Sequence, residues 1–196
     1  MWTDIEIRQI AASEAGLCAR ISSRFRVATI LQVTPIGHGL GGLRLTEAPV
    51  AQPYEKDYDA IEGGSLTAWA GRFDTANCLF LLASDGEAPV GGAIAVCRTP
   101  GIEMLAGRDD LVVLWDLRVH PDRRRQGIGT RLFQSVMAWA RERACRQLQV
   151  ETQNVNVPAC RFYAAQGCHL SAIDRHAYQG CPAVSNEAML IWYLDL

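Results

Sequence analysis

The chain has 196 residues, 49% hydrophobic and 20% charged, which suits one ordinary globular enzyme domain over residues 1–196. The formal net charge of −2 argues against a general surface for nucleic acid. The seven cysteines show no CxxC spacing, and no run approaches ~18 apolar residues, so we expect no zinc knuckle, disulfide framework or membrane span. The first residues lack the apolar run of a signal peptide, and the expected location is the cytoplasm.

The first third of the chain is predicted to hold a strand, a helix and a long loop. Ile5 and Ile7 alternate with polar residues, which predicts a short strand. Residues 12–32 are predicted to be helical. Residues 33–64 carry nine glycines and prolines and are predicted to form a loop, of a length that usually covers or forms a site.

Within that loop lies an acidic segment, residues 55–62. It contains Glu55, Asp57, Asp59 and Glu62. Two interpretations stay open at this point: a solvated acidic loop, or a recognition segment for a cationic substrate.

The rest of the chain alternates strands and helices. Residues 77–84 and 89–97 are predicted to pair as a hairpin around Asp85-Gly86. Residues 111–119 form a nearly continuous apolar run, as expected of a central strand buried on both faces. The pattern then predicts, in chain order, an amphipathic helix over 127–144, a strand over 147–151, a helix over 157–166 and strands near 168–177 and 188–195. This order predicts one mixed sheet with helices packed on it, an α/β (α+β) fold.

Residues 119–130 lead from the apolar strand directly into the amphipathic helix. A helix N-terminus offers unpaired N–H groups and the positive end of the macrodipole to an anion. Gly127 and Gly129 give phosphate oxygens access to the backbone, Thr130 adds a hydroxyl, and Arg124 and Arg125 add charge. The loop therefore suits a pyrophosphate, although it is neither a Walker loop nor a GxGxxG fingerprint. The alternative is a glycine-bearing turn with surface arginines.

A second group of residues follows the strand over 147–151. Asn156 suits a helix N-cap, Pro158 suits the first turn and Gly167 suits the stop. A well-capped helix with Phe162 and Tyr163 in the core explains this pattern equally well.

The two segments together resemble the GNAT acetyltransferase superfamily. The first matches its R-x-x-G-x-G core at Arg124, Gly127 and Gly129, preceded by Val119 and Pro121. The second matches N-x-x-A-x-x-F-Y-x-x-x-G at Asn156, Ala159, Phe162, Tyr163 and Gly167. The string ETQNxNVxACRFY, WAGRFD at 69–74 and the ending EAMLIWYL are similar to the streptothricin acetyltransferase branch. The resemblance covers residues 77–177 and implies a single domain with a mixed, mostly antiparallel sheet of about seven strands flanked by about four helices.

The resemblance implies acetyl-CoA as co-substrate and no metal. It implies that the pyrophosphate is held by the amides of Arg124, Arg125, Gln126, Gly127, Ile128, Gly129 and Thr130. It places the pantetheine arm against the main chain of Leu117, Arg118 and Val119, where the strand is splayed by a bulge. It also puts Asn156 against the cofactor and Tyr163 near its sulfur.

Acetyl transfer to an amine requires a group that removes a proton. A lysine-like amine has a pKa of ~10.4, so about one molecule in 2,500 is neutral at pH 7. The candidate bases are Asp116, incongruous in its apolar strand, and then Glu151 at the end of the next strand. The alternatives are a salt bridge of Asp116 with Arg118 or another arginine, and a capping role for Glu151. Tyr163 is expected to donate a hydrogen bond to the leaving thiolate.

The sequence thus predicts an N-acetyltransferase that acts on a primary amine of a small cationic molecule, with a streptothricin-like antibiotic as one candidate. A protein or peptide N-acetyltransferase and a CoA-binding sensor without turnover are the alternatives. No nucleic-acid or membrane partner is expected. Homodimerisation is an expectation from the family alone.

Overall fold

A computed structural model describes residues 5–61 and 73–196 of the chain. Within these ranges it contains nine strands, three α-helices and several single 3₁₀ turns. In chain order the elements are β1 (Ile5–Gln9), α1 (Gly16–Ala19), β2 (Phe25–Pro35), β3 (Leu43–Lys56), β4 (Cys78–Asp85), β5 (Ala88–Cys97), β6 (Leu111–Val119), α2 (Ile128–Glu142), β7 (Gln147–Gln153), α3 (Val157–Ala165), β8 (His169–Asp174) and β9 (Met189–Asp195).

Seven of the strands belong to one sheet, in the order β1-β4-β5-β6-β7-β9-β8, and β2 pairs with β3 in a separate ribbon. The predicted seven-stranded α/β fold is confirmed. The described residues hold three α-helices, fewer than the four or so predicted. No helix among them is long and apolar enough to cross a membrane, and no group of three or more His, Cys, Asp or Glu side chains there could hold a metal ion.

The chain divides into two compact units. The first unit comprises Met1–Arg24, Asp57–Gln149 and Asp195–Leu196. Its strands β1, β4, β5 and β6 pair antiparallel in that order. The predicted hairpin is confirmed, with Asp85 opposite Ala88. The first four residues of β6 are fully buried, as an apolar central strand requires.

Two adjacent glycines let α1 and α2 of the first unit pack closely on β5. A Cβ added at Gly91 would lie 3.0 Å from Ile128 and 3.1 Å from Leu132 of α2. One added at Gly92 would lie 2.8 Å from the sulfur of Cys18 in α1. Successive residues of a strand face opposite sides of its sheet, so the glycine pair serves one helix on each face. The close approach fixes the start of α2 against the sheet.

The second unit comprises Phe25–Lys56 and Val150–Leu194. The ribbon of β2 and β3 belongs to it, in register from Phe25 opposite Lys56 to Pro35 opposite Leu43. The predictions of a helix over 12–32 and a loop over 33–64 were therefore largely wrong.

Local sequence explains both errors. In residues 12–32 only a 3₁₀ turn and the four-residue α1 precede Phe25–Pro35, whose Val, Thr and Ile residues favour a strand. The glycines between 37 and 42 form the tight connection of a hairpin. Pro49 and Pro53 are tolerated within β3 because, among the described residues, β3 pairs with a strand on one edge only. Gly63 and Gly64 lie outside the described residues.

Asn154 fastens the ribbon to the rest of the second unit. Its main-chain oxygen accepts from the amide of Leu31 at 2.9 Å, and its side-chain nitrogen donates to the Leu31 oxygen at 3.0 Å. On its other side, the Asn154 amide donates to the Ala188 oxygen at 3.0 Å, and its side-chain oxygen accepts from the Ala188 amide at 2.8 Å. Asn154 is buried, so these bonds hold β2 beside the segment that precedes β9.

Candidate active site

The loop before α2 has the backbone of an anion site. A 3₁₀ turn over Pro121–Arg123 leads to Arg125 at φ +64° and to Gly127 at φ +80°, the N-cap of α2. No side chain within the described residues caps this helix. The first-turn amides of a helix have no intrahelical acceptor, and left-handed residues such as the two just before α2 are typical of backbone loops that bind anions. A Cβ added at Gly127 would meet nothing within 4 Å, so the approach to these amides is open.

Two loop arginines serve to anchor the loop itself. Arg124 donates from Nε to the Val119 oxygen at 3.1 Å and from Nη2 to the Arg24 oxygen at 2.7 Å. Arg123 forms an ion pair with Asp85 at the end of β4. These contacts tie the loop to β4, to β6 and to the segment before β2. The positive potential of the loop comes from its backbone N–H groups as well as from its guanidinium groups.

A β-bulge interrupts β6 just before the loop. Ile94 of β5 lies opposite Asp116, whereas the next residue, Ala95, lies opposite Leu114. Trp115 is therefore the extra residue, and it is 37% exposed directly after a fully buried run. The splayed strand implied by the family resemblance is present in β6, two residues before Leu117.

Asp116 and Arg118 form a bidentate ion pair. The guanidinium donates from Nε to Oδ2 and from Nη2 to Oδ1 of Asp116, both at 2.9 Å. Its Nη1 also donates to the carboxylate of Asp59 and to the Ile21 oxygen at 3.0 Å. Burial raises the pKa of the Asp116 carboxyl, and the guanidinium opposes that effect. Burial lowers the pKa of Arg118, but the two carboxylates outweigh it and hold the pKa above its ordinary value. The salt bridge with Arg118, which the sequence left open, is confirmed.

The acidic segment over 55–62 is not simply a solvated loop. Asp59 is bound by Arg118, and Asp57 accepts from the hydroxyl of Ser23 and from Nε of Arg24, both at 2.8 Å. These hydrogen bonds lower the pKa of the Asp57 carboxyl. Asp57 and Asp59 therefore form ion pairs within the first unit. Glu62 lies outside the described residues.

Glu151 of β7 lies in a cluster of neutral hydrogen-bond donors. Its Oε1 accepts from the hydroxyl of Tyr178 at 2.5 Å and from Nε2 of Gln153 at 3.1 Å. Gln153 also donates to the Tyr178 oxygen at 2.8 Å, which closes a triangle. Burial raises the pKa of Glu151, and the two donors act in the opposite direction. Tyr178 lies between β8 and β9 in no recognisable motif, so the sequence did not identify it.

Helix α3 begins as predicted. Asn156 is its N-cap and accepts from the Ala159 amide at 3.2 Å, and Pro158 stands in the first turn. Tyr163 is buried, with its ring edge-on to Phe162 at a centroid distance of 5.2 Å. The capped helix is confirmed, whereas contacts of Asn156 and Tyr163 with a cofactor stay a prediction.

The predicted site residues thus fall into two groups. In the first unit, the bulged strand carries Asp116, Leu117, Arg118 and Val119 and leads to the loop over 124–130. In the second unit, β7 and α3 carry Glu151, Asn156 and Tyr163, which Tyr178 joins.

A bulged strand, a left-handed turn and an uncapped helix N-terminus together make a backbone arrangement suited to a phosphate-bearing group. Residues 44–168 match the acetyltransferase (GNAT) family, and the chain belongs to that family.

The chain is similar to known proteins in both sequence and structure. Over 92 residues the chain is 33% identical to streptothricin acetyltransferase A of Bacillus subtilis (strain 168), covering 47% of this chain and 53% of that relative. The match thus spans about half the length of that curated relative. The structure is similar to that of a nourseothricin acetyltransferase, with a TM-score of 0.78 and 24% identity over 98% of this chain and 99% of the other. It is also similar to a Bacillus anthracis str. Ames protein in complex with acetyl coenzyme A, with a TM-score of 0.76 and 23% identity over 99% and 98% of the two chains.

Proposed function

We propose that the chain is an N-acetyltransferase that moves the acetyl group of acetyl-CoA to a primary amine. The uncapped start of α2, preceded by left-handed Arg125 and Gly127 in a chain of the GNAT family, carries this proposal. A pyrophosphate there would accept from N–H groups that have no other acceptor within the helix.

The residues present fit acetyl-CoA. The amides of residues 124–130 would hold the pyrophosphate, and the main chain of Leu117, Arg118 and Val119 the pantetheine arm. Gly127 leaves the space that phosphate oxygens need. Acetyl-CoA supplies the activated thioester, and the Bacillus anthracis structure with acetyl coenzyme A supports this co-substrate.

Glu151 is the better placed general base. A base must gain a proton, and Glu151 accepts hydrogen bonds from two neutral groups that tolerate either charge state. Both oxygens of Asp116 face a guanidinium, and protonating Asp116 would leave that buried cation with one carboxylate fewer. The proposal therefore assigns proton removal to Glu151, directly or through one water, and a positioning role to Asp116.

Tyr163 is proposed as the donor to the departing sulfur. An ordinary phenol, with a pKa of ~10, is a weaker acid than a thiol at ~8.5, so full proton transfer is uphill by roughly 2 kcal/mol. Donation of a hydrogen bond to the developing thiolate avoids that cost. Asn156, the N-cap of α3, is proposed to contact the cofactor.

The proposed acceptor is a small cationic amine such as a streptothricin-like antibiotic. The relatives named for streptothricin and nourseothricin support this class. The acidic segment lends little support, because Asp57 and Asp59 are already paired with arginines. A cytoplasmic location belongs to the same proposal and is consistent with seven free thiols.

The test is steady-state release of CoA thiol with a panel of amines. Streptothricin, spermidine, kanamycin and a lysine-containing peptide are compared, and we expect saturation with streptothricin. Acetylation of the peptide alone would favour a protein acetyltransferase. Tight acetyl-CoA binding without turnover of any amine would favour a sensor. The variant Gly127→Val, which forces a branched side chain into a left-handed position, should raise the KM for acetyl-CoA.

A further inference from the structure

Trp115 is an exposed aromatic residue that the proposed chemistry does not use. It is 37% exposed and directly follows four buried residues of β6. The other exposed large hydrophobic side chains that the structure describes all belong to the second unit, and they are Ile36, Leu40, Leu43 and Tyr54. Among the described residues of the first unit, Trp115 therefore stands apart.

The β-bulge of β6 accounts for the exposure of Trp115. Ile94 lies opposite Asp116 and Ala95 lies opposite Leu114, so Trp115 is the residue that the bulge adds. Bulges are common next to active sites, where they redirect a side chain. A regular central strand would bury a tryptophan in the core and gain the free energy of that burial. The bulge instead leaves part of the ring where a bound molecule can reach it.

Phe73 makes Trp115 part of an aromatic pair. The two ring centroids are 6.5 Å apart, and the rings are inclined at 57° to each other. Phe73 lies against Gly101, since a Cβ added to that glycine would be 3.6 Å from Cε1 of the ring. Phe73 also belongs to the string WAGRFD, to which the proposed chemistry gives no role. The faces of aromatic rings carry a negative electrostatic potential, so such a pair suits a positively charged group.

The ion pairs of Arg118 add negative charge next to Trp115. This one guanidinium is shared by the carboxylates of Asp116 and Asp59, at 2.9 Å and 3.0 Å. With both carboxyl groups ionised, two negative charges meet one positive charge, and the side chain of Asp59 is 33% exposed. Asp116 directly follows Trp115 in β6. The uncompensated charge therefore favours a cation near the ring and disfavours an anion.

The proposed path of the cofactor leads toward Trp115. The pyrophosphate is assigned to residues 124–130 and the pantetheine arm to the main chain of residues 117–119, so the arm runs along β6 away from the loop. The next residues of β6 in that direction are Asp116 and Trp115. The thioester end of acetyl-CoA would lie near these two residues, and the acceptor has to approach the thioester there.

We propose that Trp115, together with Phe73, selects the acceptor by binding a cationic group other than the reacting amine. This inference rests on the proposed acetyltransferase function. The reacting amine has to lose its charge before it attacks, whereas a second cationic group keeps its charge and can remain against the ring. Binding energy gained there is available to place the reacting amine, which raises kcat/KM.

Two amines of the same shape isolate the effect of charge: (5-aminopentyl)trimethylammonium and 6,6-dimethylheptan-1-amine, in which a carbon replaces the quaternary nitrogen. We expect kcat/KM of the wild type to be about tenfold higher for the cation, within the usual strength of a cation–π contact. Trp115→Leu should bring that ratio close to one, and Trp115→Phe, which keeps a weaker ring, should give an intermediate ratio. Leu40→Ala changes an exposed hydrophobic residue of the ribbon and is the control, which should keep the wild-type ratio.

A wild-type ratio near one would overturn the inference. A ratio that survives Trp115→Leu would also overturn it, because the charge preference would then come from Asp59 and Asp116 alone. Should Trp115→Leu fail to fold, Trp115→Phe decides, and a ratio equal to that of the wild type contradicts the role of the tryptophan ring.

Failure of the proposed function is distinguishable, because no amine would then release thiol from acetyl-CoA. In that event, calorimetric titration of the two amines into the wild type and into Trp115→Leu still tests the ring. Tighter binding of the trimethylammonium compound in the wild type alone supports the inference, and equal affinities for the two amines in the wild type contradict it.

Discussion

Tyr178 donates its phenolic hydrogen to Oε1 of Glu151 over 2.5 Å, the same oxygen that accepts from Gln153. Both donors are neutral, so the carboxyl group can gain or lose a proton without leaving a partner of opposite charge unpaired. Asp116 differs, because the guanidinium of Arg118 binds both of its oxygens. One carboxyl group has the surroundings of a proton acceptor, and the other has those of a fixed anion.

Replacing Glu151 by Gln should lower kcat/KM for the amine at least ~100-fold, the usual contribution of a positioned base. Asp116→Asn should cause a smaller loss, since its role is to hold Arg118. Thiol release at saturating acetyl-CoA measures both. A larger loss in Asp116→Asn than in Glu151→Gln, with both variants folded, would reverse the two roles.

The pH profile should carry the signature of Glu151. Burial raises its pKa above the ordinary 4.5, and the carboxylate form is the active base, so activity falls as pH drops through that raised value. Tyr178→Phe removes a hydrogen bond that lowers this pKa, and the acid limb of kcat/KM should move to higher pH. The control is Tyr193→Phe on β9, which should leave the limb in place. A limb unmoved in Tyr178→Phe contradicts the assignment.

Arg118→Met should destabilise the protein by about 3–5 kcal/mol, because it leaves Asp116 buried without its cation. The matched control is Arg8→Met, whose pair with Glu14 has side chains 45% and 42% exposed and should contribute about 1 kcal/mol or less. Urea unfolding measures both. Replacing Asp116 by Leu in the Arg118→Met background should recover part of the lost unfolding free energy. Equal losses in Arg118→Met and Arg8→Met would show that the buried ion pair of Arg118 with Asp116 contributes no more than an exposed one.

The glycine pair of β5 should tolerate no side chain. Gly91→Ala places a methyl group 3.0 Å from Ile128, and Gly92→Ala places one 2.8 Å from the sulfur of Cys18. Each should cost about 1–3 kcal/mol of unfolding free energy, the usual range for overpacking. Gly180→Ala is the control, since its Cβ would meet nothing within 4 Å. Thermal melts that fail to separate Gly91→Ala from the control would refute the close packing.

One cysteine should react rapidly with a disulfide reagent. Six of the seven thiols are buried, and Cys181 is partly exposed. Burial raises the pKa of Cys18, Cys78 and Cys168 to about 11, which suppresses their thiolates at neutral pH. We expect one fast thiol in the native protein, lost in Cys181→Ser, and seven in concentrated guanidinium chloride. Several fast thiols would indicate a more open core.

Much of the fold could be predicted because local signals and tertiary structure agree. The β4–β5 hairpin follows from two apolar runs around Asp85-Gly86, and α2 from its apolar periodicity and the glycines at its start. The ribbon was missed because its 14-residue strand contains Pro49 and Pro53, which are expected of a loop, and because its pairing partner lies on the other side of a glycine-rich turn.

The candidate site divides in the same way. The left-handed N-cap of α2 at Gly127 and the side-chain cap of α3 at Asn156 are encoded locally and could be predicted. The partners that set proton affinity could not, because Tyr178 is 27 residues from Glu151 and Asp59 is 59 residues from Arg118. Contacts between residues so far apart in the sequence produce no hydrophobic periodicity or motif spacing from which they could be predicted.

The position of Lys56 bears on chemical self-modification. A protein that handles an acyl thioester risks spontaneous acylation of its own lysine amines. This chain contains a single lysine, which is 7% exposed and ion-paired with Glu187, whereas it has 18 arginines, whose guanidinium groups resist such attack. Its side chains are therefore largely protected from its own proposed co-substrate, and amine-directed labels would find no accessible lysine on the folded protein.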